Sequence, residues 1–218
     1  MTDDSTGSAP GAAPIPVSPD NPCPFLRGLV ANGYVGGHIV PLPKLSGTIA
    51  AASGEAGLKE TMVQFETWMV AVGANGLGPL RVLTSATSGA VLDELRNGPL
   101  DKHGAGSRIL DAHAQVHEDE ITRLGSFGKD RPDGAGGMER GLDAREIDTF
   151  MADNLKRAGA AARWYYPMLM KGEWPVLLNI MGKGEGEARY LSVAEVRTLF
   201  VEHRFPDRIV TRLPKPAG

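Results

Sequence analysis

The sequence predicts a mainly α fold with few or no strands, on three observations: two capped helical patterns, no sustained period-2 alternation, and apolar runs of packed-core length. In LSVAEVRTLFVEHRF, Ser192 and Glu195 have capping-box spacing, and Val196, Leu199, Phe200 and His203 recur at i, i+3, i+4 and i+7. In LDAREIDTFMADNLKRAGAAARWYYPM, Asp143 is the cap and Glu146 follows three residues on, ahead of an apolar face of Ile147, Phe150, Met151 and Leu155. Residues 25–31, 60–77, 88–96 and 107–124 are expected as further helices. PVLLNIM, at 175–181, is too short to separate a strand from a buried helix. The Gly-rich GKDRPDGAGGMERG is expected as a solvated linker, because its acids lack the alternating positions and terminal Glu of a calcium loop.

A chain of 218 residues fits one domain with its own core. Residues 1–20, rich in Pro, Ala, Gly and Ser, are expected as a flexible tail, with the domain spanning 21–213. With 42% hydrophobic and 22% charged residues and a net charge of -3, there is no basic excess to attract nucleic acid or an anionic membrane surface. No apolar run approaches the ~18 residues a membrane span requires. The acidic start lacks the basic and apolar regions of a secretory signal, so a cytoplasmic location is expected. A single cysteine excludes an internal disulfide and leaves four roles: core filler, redox thiol, nucleophile or metal ligand.

Three segments carry residues suited to chemistry. In NPCPFLRGLVANGY, Cys23 stands between Pro22 and Pro24, whose locked φ angles would fix the direction of the sulfur. It also precedes a helical pattern, and a helix N-terminus favours the thiolate. In HAQVHEDE, His113 and His117 are four apart, as a zinc pair on one helical face would be, followed by Glu118, Asp119 and Glu120. Ala114 stands where the metalloprotease signature has Glu, and a solvated face is the plainer reading. In KGEWPVLLNIMG, Glu173 precedes an apolar run. Half-burial there would raise its pKa and suit it to proton transfer; an exposed Glu at a helix start is the alternative.

Taken together, PCPFLRGLVANGY, HAQVHEDEITRLGSFGKD, GEWPVLLNIMG and VRTLFVEHRFPDRI resemble, in order and rough spacing, the haem-thiolate peroxidase/peroxygenase family of the fungal chloroperoxidase and unspecific peroxygenase type, over about 21–213. The resemblance implies a compact helical domain enclosing haem b, with Cys23 as axial ligand of the iron and Pro22, Pro24 and His113 beside the cofactor. It implies that hydrogen peroxide oxidises, oxygenates or halogenates a small apolar or aromatic substrate, with Glu173 as the distal acid–base.

Glu118 falls where short family members carry a His that positions the distal Glu, and His117 falls where they carry an acid. Either His117 or Glu118 is therefore the expected partner of Glu173. His117 and Asp119 are the implied ligands of one divalent cation (Mg, Mn or Ca) near a haem propionate. Phe65, Trp68, Phe127 and Trp164 are expected to line an apolar substrate channel. Two other readings keep the same residues: a non-catalytic haem-binding or haem-sensing protein, and a haem-free helical protein binding a cation through His113 and His117.

Overall fold

The structure, a computed structural model, describes residues 16–54, 89–96, 104–170 and 173–216. Within them the chain runs α1 (Pro24–Ala31), β1 (Ile39–Val40), α2 (Leu42–Ser53), β2 (Ala90–Val91), α3 (Glu118–Phe127), β3 (Lys129–Pro132), β4 (Met138–Leu142), α4 (Ala144–Ala158), α5 (Tyr166–Met170), α6 (Trp174–Met181), β5 (Leu191–Ser192), α7 (Val193–Glu202) and α8 (Asp207–Val210). Helix dominates, as the periodicity predicts, and two small antiparallel sheets, β1-β2 and β3-β4-β5, are added to it. None of the described helices is long and apolar enough to cross a membrane.

The two helices with the clearest caps form as read. Asp143 Oδ1 accepts from the Glu146 amide at 3.0 Å while Glu146 Oε2 accepts from the Asp143 amide at 2.9 Å, closing the capping box of α4. Ser192 Oγ accepts from the Glu195 amide and starts α7. The apolar stripe of α7, Val196, Leu199 and Phe200, is buried and forms the centre of the molecule, with α1, α3, β4 and β5 packed around it. Burying a side chain such as Leu199 stabilises by about 2–3 kcal/mol. PVLLNIM resolves as helix α6, with Trp174, Leu177, Leu178 and Met181 buried at i, i+3, i+4 and i+7. Trp174 meets Phe150 of α4 edge-on at 5.1 Å and stacks on Phe200 of α7 at 6.5 Å. α1 lies close to the chain after α7: a Cβ on Gly28 would come within 2.7 Å of the Phe205 ring.

Several expectations are overturned. Only 118–127 of the expected helix 107–124 region is helical, because Asp111 Oδ1 accepts from the amides of His113 and Gln115 and holds the preceding chain in a turn, closed by a Leu110–Val116 bridge. Residues 89–96 form strand β2 and a short 3-10 turn instead of a helix. Gly89 has φ +103 and passes so near Val40 that a Cβ would lie 2.3 Å from its carbonyl oxygen. The expected helix 60–77 lies outside the described residues. α2, not anticipated, starts after Pro41 and ends at Gly54 in the left-handed region. At the start of the domain the chain is already held from Ser18, whose carbonyl accepts from Arg27 Nη1 at 2.8 Å; the carbonyl of Asp20 accepts from the Arg96 amide.

The expected linker is a β-hairpin. Lys129–Pro132 pairs with Met138–Leu142, and Asp133 Oδ1 accepts from the amides of Ala135 and Gly137 across the turn. A buried polar network ties this hairpin to the rest. Glu139 accepts from Lys183 Nζ at 2.5 Å and Tyr190 OH at 2.8 Å on one oxygen, and from Ser192 Oγ at 2.6 Å on the other. These hydrogen bonds hold Glu139 below its ordinary pKa although burial pushes it up. Burial and the neighbouring carboxylate push the Tyr190 hydroxyl up to about 12. Arg131 binds Asp143 and Glu146, and Arg208 binds Glu195 with both terminal nitrogens.

Candidate functional site

Cys23 is the N-cap of α1, in extended backbone (φ -85°, ψ 112°), with Pro24 in the first turn. Pro suits that position because its missing N–H would have no helical partner. The Cys23 amide donates to Asn21 Oδ1 at 3.1 Å, and its carbonyl accepts from the Arg27 amide one turn on. The cysteine is partly buried against the core.

Arg27 is only 6% exposed. Its Nη1 donates to the carbonyls of Ser18 and Asn21, its Nε has no partner, and among the described residues no carboxylate pairs with it. Burial lowers its pKa and Arg96 lowers it further, while Cys23 acts the other way. Across from it, His203 ends α7 with φ +54°, and its Nδ1 is buried without a partner. Burial and then the Arg27 charge push the His203 ring below its ordinary value, against a contact with the Leu199 carbonyl. Cys23 thus stands at a helix N-terminus one turn from Arg27, whose charge is in turn felt by Arg96 and His203.

The acidic segment is arranged otherwise than the sequence implies. His113 lies in the turn and His117 is the N-cap of α3, so the two do not share the helical face expected of them. His117 Nε2 lies 3.5 Å from Asp111 Oδ2, and Glu118 is held by Arg197 of α7 at 2.6 and 3.1 Å. Hydrogen bonds from the Gln115 and His113 amides and from His117 outweigh slight desolvation and keep Asp111 below its usual pKa. His113, His117, Glu118 and Asp119 are all exposed. Among the described residues no three His, Cys, Asp or Glu side chains are placed to hold a metal ion, so His117 and Asp119 do not themselves complete a cation shell.

The acid of this segment that is buried is Glu120, which the motif comparison leaves aside. Arg157 donates to both its oxygens, at 2.8 and 2.5 Å, and Arg123 is 3.8 Å away; chiefly through the Arg157 bonds its carboxyl is held below the ordinary range. Arg123 also binds Asp153 and Asn154 and lies over the rings of Phe127 and Phe150. Helical spacing identifies Glu120 in hindsight, because it shares the buried face of Ile121 and Leu124.

Glu173 is the N-cap of α6 and is exposed, not half-buried as expected, and the Trp174 side chain that follows is buried in the core. Of the expected channel residues, Phe127 packs edge-on against Phe150 at 5.5 Å and Trp164 is 89% exposed, while Phe65 and Trp68 lie outside the described residues.

Cys23, His117 and Glu173 have one thing in common: each is the N-cap of a helix. α1 and α3 pack on α7, and α6 reaches α7 through the Trp174–Phe200 stack, so a single helix supports all three. No protein-family model, curated protein or solved structure matches this chain.

Proposed function

We propose that this protein is a haem-thiolate oxidoreductase that uses hydrogen peroxide to oxygenate or oxidise a small organic substrate, with Cys23 as the iron ligand and Glu173 as the acid–base. The observation that carries the reading is the pairing of Cys23, at the N-terminus of α1, with the buried Arg27, which has no carboxylate partner among the described residues. A buried guanidinium without a counter-charge is costly, and an anionic sulfur one turn away lowers that cost. The residues present therefore fit a thiolate ligand. Pro22 and Pro24 restrict the backbone on either side of the sulfur.

Haem bound at Cys23 would supply peroxide activation, the thiolate favouring cleavage of the O–O bond. The chain's own part is proton handling: a Glu173 Oε takes the proton from one peroxide oxygen and returns it to the departing one. Glu173 is exposed at the start of α6, next to the buried Trp174. The test is the visible spectrum of protein expressed with added haem, then reduced under carbon monoxide. A strongly red-shifted Soret band is expected; a colourless protein would overturn the proposal.

One observation favours a second reading, a haem-binding protein that does not turn over peroxide. Glu118 is engaged by Arg197 and His117 by Asp111, so both expected helpers of Glu173 have other partners. Peroxide-dependent oxidation by the haem-loaded protein separates the two.

A further inference from the structure

We propose that the groove between α2 and the chain after α8 binds a small organic monocarboxylate with a flat apolar body. This inference does not depend on haem binding. The groove has a volume of about 430 Å³, within the ~300–1,000 Å³ that small-ligand sites occupy. Its apolar walls come from Pro43, Ala51 and Pro214, and its rim from Lys44, Arg212 and Lys215. It contains no acidic residue, and among the described residues none of the three cations has a carboxylate partner. In a chain of net charge -3 this is a local positive site with no acid among the described residues that line it.

Two features make the site more than a cluster of surface charges. The Arg212 guanidinium is placed by the backbone: Nη1 donates to the Ser53 carbonyl at 3.5 Å, and the group lies so close to Gly54 that a Cβ there would come within 2.9 Å of Cζ. Arg212 is therefore held at the end of α2. The floor is open at Gly47, where a Cβ would meet no atom within 4 Å, and two proline rings offer rigid apolar surface on either side. Tyr34, otherwise buried, also lines the groove, and its phenol is a neutral hydrogen-bonding group at ordinary pH. Rigid walls, one placed guanidinium and a neutral donor suit a single carboxylate on a ring better than a polyanion.

The test titrates the full chain with sodium benzoate and follows the backbone amide resonances of Gly47, Thr48 and Ala51. Saturable shifts confined to this groove are expected. They should weaken about fivefold or more in the Lys44→Gln, Lys215→Gln double variant, whose exposed substitutions leave the fold intact, and weaken as salt is raised. Benzylamine, with the same ring and the opposite charge, should leave these resonances unmoved. Absence of saturation, equal binding of benzylamine, or displacement of benzoate by sulfate at equal affinity would each overturn the proposal.

Discussion

The hairpin end of the molecule and the Cys23 end both bury charge, and they settle it differently. At the hairpin, Glu139 is met on one oxygen by Lys183 and Tyr190 and on the other by Ser192, while Arg131 and Arg208 each hold carboxylates. At the other end Arg27 is buried with backbone carbonyls for partners, its Nε unpartnered, and His203 Nδ1 is unpartnered nearby. The hairpin network is satisfied from within and acts as a structural clamp. At the Cys23 end, Arg27 has no carboxylate partner among the described residues, and the proposed thiolate would supply the missing negative charge.

The contrast is testable, beginning with the largest effect. Cys23→Ala should abolish thiolate ligation while far-ultraviolet dichroism stays helical; an unchanged haem spectrum would remove Cys23 as ligand. Glu173→Gln should keep the haem but slow peroxide activation by ~10²–10⁴, the range for loss of a general acid–base, and wild-type kinetics would exclude it from the mechanism. Glu139→Leu, which removes the carboxylate shared by Lys183, Tyr190 and Ser192, should cost about 3 kcal/mol in urea unfolding. Arg27→Met in the haem-free protein should lie within about 1 kcal/mol of wild type, since it removes a buried charge that no carboxylate balances among the described residues. Equal losses in these last two variants would erase the distinction between the two ends.

The smallest effect is in pH dependence. Glu139 and His203 both have folded-state pKa values below their ordinary ones, so each contributes stability above its unfolded value that is lost as pH falls through the folded one. For Glu139 that loss lies below about pH 4.5, and for His203 below about pH 6.5, the ordinary values of the two groups. Urea midpoints measured from pH 7 to 5 should therefore fall in wild type and flatten in His203→Asn. Glu139→Leu should leave this interval unchanged and alter the curve only at lower pH.

How much of this could be read from the sequence depended on where each segment buries its side chains. α4 and α7 were legible because cap and apolar stripe agree, as Asp143 with Glu146 and Ser192 with Val196 show. The hairpin was hidden because β3 and much of β4 face solvent and carry charge, leaving no alternation to detect. The helical reading of 107–117 failed because periodicity does not register the competition of Asp111 for its own backbone amides. Of the site, Cys23 stood out through its prolines. Arg27 passed unnoticed in the same segment, because an arginine on an apolar helix reads as exposed until burial is known.

Gly28 leaves space for the Phe205 ring against α1, and that ring meets Phe25 at 5.1 Å and Tyr34 at 6.4 Å. Phe25 lies two residues from Cys23, and Tyr34 lines the basic groove. One aromatic ring therefore lies between the helix that begins at Cys23 and a residue that lines the groove. A ligand that displaced Phe205 from the groove side would press on that helix, and by thermodynamic reciprocity occupancy at the sulfur would then change affinity in the groove by the same factor.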